Sequence, residues 1–230
     1  MREFTVAQTI LECKLEFEHM LTMLPGPGGE SFRDLAKDLR PYGIRPERVT
    51  TDASTGRMSD AVIIIGGLLN DRLTIRFKVS DANLFLTHYF EGDDEKLIAI
   101  LSFVIAALKK VDEESANGTA TIRSAAHLTL QPGDVEALLR EHMKLPETVS
   151  NLHPEMAIYK VDLGPTAKAQ DIRVGVTRSL AYQDTIFIDT NATYKMPITA
   201  EELALTATRE IERVFEILGL RERETVQEVE

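Results

Sequence analysis

Two stretches of this chain share one grammar: an alternating strand, a Pro/Gly turn, then a short amphipathic helix. The first spans an apparent strand at 13–21, the turn Pro25-Gly26-Pro27-Gly28-Gly29 and a helix over 31–39. The second spans a strand at 123–130, the turn Pro132-Gly133 and a helix over 134–143. Each continues through several strands to a long helix that opens on acidic residues, Asp93-Asp94-Glu95 in one and Glu201-Glu202 in the other. A unit repeated over about half the chain constrains architecture more than any short motif, because similar units pack about a pseudo-twofold axis. The expected organisation is a first α+β repeat over 1–114 and a second over 119–220, packed together as one globular unit, with a polar tail over 221–230.

Turn chemistry divides the first unit further. Thr55-Gly56, Asn70-Asp71 and Asp81-Ala82-Asn83 separate runs at 49–54, 61–69, 72–80 and 84–89. Links this short predict an antiparallel meander. Gly66-Gly67 inside one run predicts a bulge or a close backbone approach. The run 72–80 has the clearest period-two pattern, with Leu73, Ile75, Phe77 and Val79 on one side and Arg72, Thr74, Arg76 and Lys78 on the other. One sheet face therefore meets helices while the opposite face is polar. The helix over 94–111 carries Leu97, Ile98, Ile100, Leu101, Phe103, Val104, Ile105 and Leu108 around well over half its circumference. Such a helix needs cover on most sides, from its own sheet and from either the other half or another chain. The final helix, over 199–218, has a single apolar stripe through Leu203, Ala207, Ile211, Val214, Phe215 and Leu218.

Strand–helix–strands–helix is the order in each half. It is similar to the helix-grip arrangement shared by TATA-box-binding-protein-like and related folds. The resemblance is one of element order, and it implies a mostly antiparallel sheet with helices packed on one face. It implies no activity.

Composition narrows the function classes. A formal net charge of −11 over 230 residues disfavours nonspecific attachment to nucleic acid or to an anionic membrane, since phosphate contacts need clustered cations. The absence of tryptophan and an aromatic content of 6% argue against a base-stacking platform. The longest apolar run, at 97–108, is too short to span a bilayer and ends at Lys109-Lys110. A single cysteine, Cys13, suits a reducing compartment. With Arg2 and Glu3 at the start and no signal-peptide pattern, the expected address is the cytoplasm.

No catalytic or metal signature stands out. The glycine-rich turn at 25–29 lacks the Gly-Lys-Ser/Thr ending of a P-loop. His19, His88, His127, His142 and His153 have no metal-ligand spacing, so no metal and no cofactor is expected. His19 and His127 hold similar places in the two units and would approach across a pseudo-axis. His88-Tyr89 would need Asp189 nearby to make an acid/base pair.

The leading expectation is a non-enzymatic interaction or assembly protein that self-associates. Its first contact surface is Leu97, Ile100, Leu101, Val104 and Ile105 on the helix at 94–111. Its second is the cationic stripe of Arg72, Arg76 and Lys78, joined by Arg45, Arg57 and, in the second half, Arg173, which would dock an acidic partner or an anionic ligand. Two alternatives are a small-molecule-binding protein or enzyme with a pocket between the sheet and the long helices, and a nucleic-acid-associated protein using the polar sheet face.

Overall fold

A computed structural model describes residues 1–17, 30–52, 60–90, 92–111, 118–142, 155–196 and 199–223. The chain is a mixed α+β fold whose strands form one ten-stranded, mostly antiparallel sheet. In chain order the first half runs β1 (Arg2–Glu16), α1 (Glu30–Asp38), β2 (Val49–Asp52), β3 (Val62–Gly67), α2 (Leu68–Asp71), β4 (Leu73–Phe77), β5 (Asp81–Thr87) and α3 (Asp94–Val111). The second half runs β6 (Thr119–Thr129), α4 (Asp134–His142), β7 (Met156–Lys160), β8 (Asp171–Arg178), β9 (Thr185–Lys195), α5 (Ala200–Ile217) and β10 (Leu220–Glu222).

The strand order across the sheet is β2-β3-β4-β5-β1-β6-β9-β8-β7. Strands β1 and β6 pair antiparallel at its centre, from Thr5 opposite Thr129 to Glu16 opposite Thr119. Outward from this seam, each half follows the same logic: the half's first strand, then its last strand before the long helix, then the preceding strands in reverse. Gly118 closes one end of the seam. A side chain there would collide with the Glu16 carbonyl, so only glycine lets the chain enter β6 against β1.

Alternation in β4 is as the pattern predicts. Leu73, Ile75, Phe77 and Val79 are buried, while Arg76 and Lys78 are exposed. The Gly66-Gly67 pair ends β3 rather than bulging within it. Gly67 adopts φ 84°, and Leu69, Asn70 and Asp71 follow with φ of 49°, 59° and 65°. Three consecutive left-handed residues reverse the chain into β4.

The apolar wrap of α3 is taken up within the chain. Ile100, Leu101, Val104, Ala107 and Leu108 are buried in the core, and α3 lies between α1 and α5. Lys110 on α3 pairs with Asp34 on α1 at 2.5 Å, and that pairing lowers the carboxyl's pKa. Thr199 caps α5, accepting from the Glu202 amide at 3.1 Å.

Three expectations change. The first strand covers Arg2–Glu16, earlier than the run at 13–21. Residues 221 and 222, expected in a frayed tail, belong to β10, which pairs parallel with the start of β1 (Arg2 opposite Leu220). Arg72, expected on the polar stripe of β4, turns instead toward the start of α3. The turn at 25–29, His19, Arg57, His153 and the tail beyond 223 lie outside the described residues.

Candidate functional site

A bulge in β1 shapes the space under the helices. Val6 lies opposite Leu128 and Gln8 opposite His127, so Ala7 is an extra residue with no partner on β6. The insertion resets the alternation, and Phe4 and Val6 before it join Thr9, Leu11 and Cys13 after it in lining one cavity. Ile122, Ala126 and Leu128 of β6 and Leu84 and Leu86 of β5 complete the floor. The roof is Leu97, Ile98 and Leu101 of α3, with Leu203, Ala207, Ile211 and Phe215 of α5. Phe4 meets Phe215 edge-on at 5.8 Å between ring centres.

The cavity measures about 540 Å³. That falls in the range of small-molecule sites, about 300–1,000 Å³. Its wall is mostly aliphatic, with few polar groups. Tyr89 donates its phenol to Asp94 Oδ1 at 2.5 Å, and Thr9 donates to the Tyr89 carbonyl at 3.1 Å. Ser124, Thr208, Glu212 and Glu222 supply the rest of the polar lining. Cys13 is buried, and burial followed by the neighbouring Glu12 charge pushes its thiol up to about 12. A thiol so protonated is a poor nucleophile.

Just outside the cavity, Arg72 forms a clamp. Its guanidinium donates to Asp93 through two bonds, of 2.6 and 3.0 Å, to the His88 carbonyl at 2.7 Å, and to the Leu69 carbonyl at 3.1 Å. It also lies over the Phe90 ring at 4.6 Å. Asp93 in turn accepts from the Phe90 amide at 3.0 Å, and the Arg72 bonds hold its carboxyl below the ordinary range. One arginine thus fixes the left-handed turn after β3 and the start of α3 together.

The opposite sheet face is polar but largely self-neutralised. Asn83 donates to Glu12 at 2.5 Å, Arg123 lies 3.6 Å from Glu12, and Arg123 donates to both oxygens of Asp189 at 2.8 and 2.9 Å. The row crosses β5, β1, β6 and β9. Lys14 pairs with Glu16, and Lys160 and Arg173 with Asp171. Of the expected stripe, Arg76 and Lys78 remain exposed, with no carboxylate partner among the described residues. On α3, Ile100 and Val104 are fully covered and Leu101 nearly so, while Leu97 and Ile105 are half-buried.

Two constellations bear on chemistry. Asp189 is held by Arg123, whereas Tyr89 binds Asp94 on the cavity side, so His88-Tyr89 and Asp189 form no acid/base pair. His127 Nδ1 lies 3.1 Å from the buried Ser179 hydroxyl, a pairing across 52 residues that sequence spacing does not announce. That hydroxyl oxygen also accepts from the Ala181 and Tyr182 amides, both at 3.1 Å. With its lone pairs engaged, Ser179 serves as a turn anchor rather than a nucleophile. His127 is packed between Tyr182 and Phe187, and burial lowers its pKa.

Among the described residues no cluster of His, Cys, Asp or Glu could hold a metal, and no helix is long and apolar enough to cross a membrane. Comparison with protein-family models, with curated proteins and with solved structures finds no match.

Proposed function

We propose that this protein is a non-catalytic binder of an apolar small molecule, held between the sheet and helices α3 and α5. The observation that carries the reading is the cavity of about 540 Å³ with its aliphatic wall. Burial of apolar ligand surface there contributes about 25 cal/mol per Å². Binding in place of chemistry fits a lining that is mostly aliphatic, whose thiol is held protonated by burial and which has no histidine or lysine among its described residues. The single buried cysteine agrees with a cytoplasmic, reducing setting. The matched strand order on either side of the β1–β6 seam supports descent of the two halves from one duplicated unit, whose central junction became the cavity floor.

A titration with the neutral, environment-sensitive dye N-phenyl-1-naphthylamine tests the reading. Saturable, blue-shifted fluorescence is expected, and Ala126→Phe, which fills the floor, is expected to abolish it while leaving the unfolding temperature unchanged or higher. Equal dye binding by a folded Ala126→Phe protein contradicts it.

A second reading, contact with another protein, is favoured by apolar residues at the sheet's outer edge. Met156 and Ile158 of edge strand β7 and Leu180 of the β8–β9 turn are 55%, 70% and 102% exposed. An open edge with apolar side chains is a template for strand pairing. Sedimentation as a monomer at all accessible concentrations would remove self-association from this reading.

A further inference from the structure

We infer that the cavity selects ligands with a cationic or uncharged head and rejects fatty-acid-like anions; this rests on the apolar-ligand reading above. The polar lining has a definite sign. Asp94, at the start of α3, Glu212 on α5 and Glu222 on β10 are all carboxylates, and each is exposed. No lysine, arginine or histidine is among the described lining residues. Arg72 of the neighbouring clamp is committed to Asp93 and to two backbone carbonyls.

Exposed carboxylates beside an aliphatic cavity divide the work between two parts of one amphiphile. The chain leaves water against Leu97, Leu101 and Ile122, while the head stays hydrated near the three acids. An ammonium head is attracted there, whereas a carboxylate head meets three carboxylates and no lysine, arginine or histidine among the described lining residues. Tyr89 does not help an anion, because its proton is given to Asp94. The net charge of −11 adds to the same sign preference at longer range.

The test uses competition. The full-length protein is loaded with N-phenyl-1-naphthylamine, and the dye is displaced by dodecylamine, dodecanol or laurate, each below its micelle threshold. Dodecylamine is expected to displace the dye at least about tenfold more effectively than laurate, equivalent to about 1.4 kcal/mol. Rising salt should narrow that gap, because exposed charges are screened. In the Glu212→Gln/Glu222→Gln variant the ratio of the two affinities should fall toward one. Dye binding with laurate competing as well as dodecylamine would overturn the inference and leave the cavity reading intact. Failure of the wild-type protein to bind the dye or any of the three competitors would overturn both.

Discussion

Arg72 shows how much one side chain decides here. Its bonds to Asp93 sit where Asp93 is almost fully covered and Arg72 is mostly so, with side-chain exposures of 4% and 19%. Removing the arginine strands a buried carboxylate, so Arg72→Ala should cost about 3 kcal/mol by urea unfolding at neutral pH. Because Asp93 is held below the ordinary carboxylate range, its contribution is present above that range and lost as pH falls through the lowered value. The gap between wild type and variant should therefore close in strong acid. A gap that persists when Asp93 is protonated would mean that Arg72 acts only through the Leu69 and His88 carbonyls. Cys13 makes the opposite point. With its thiol pushed up to about 12, an aromatic disulfide reagent at mildly alkaline pH should react slowly with native protein and fully in denaturant. Rapid native reaction would show that the cavity floor opens readily.

At the scale of elements, the helices were the most legible parts of the sequence. The expected spans 94–111 and 199–218 compare with Asp94–Val111 and Ala200–Ile217. Apolar spacing and acidic first turns specify a helix locally, without reference to partners. Ile100→Ala should cost about 2–5 kcal/mol, because Ile100 is fully enclosed between elements of this same chain. Thr199→Ala should cost about 1 kcal/mol through loss of the α5 cap. Both are read by denaturant unfolding, and a negligible loss for Ile100→Ala would contradict the placement of α3. What stayed hidden was non-local. Nothing in Arg2–Glu16 marks Ala7 as the bulged residue, because the bulge exists only relative to the partner Leu128–His127. The Gly66-Gly67 pair signalled an irregularity, but the left-handed run after it depends on Arg72 reaching Leu69 and Asp93. Strand β10 is three residues of ordinary polarity, visible only where it meets β1.

At the scale of the molecule, the α+β class and antiparallel sheet followed from repeated grammar and short turns, whereas a pocket between the sheet and the long helices stood only as an alternative, without its size or lining. A strand pattern tells which residues face helices, not how far the helices stand off. The cavity depends on small residues facing it, Ala126 on the floor and Ala207 in the roof, and on Phe4 closing against Phe215. The polar face carried the opposite lesson: sequence identified Arg76 and Lys78 as exposed, but could not show Arg123 neutralised by Asp189 across 66 residues. The most direct measurement is an isotope-filtered NMR experiment on the protein with bound N-phenyl-1-naphthylamine, recording which methyl groups lie near the dye. Cross-relaxation to the methyls of Leu97, Leu101, Ile122 and Leu203 is the result this account predicts. Cross-relaxation confined to Ile158 and Leu180, at the outer edge of the sheet, would contradict it.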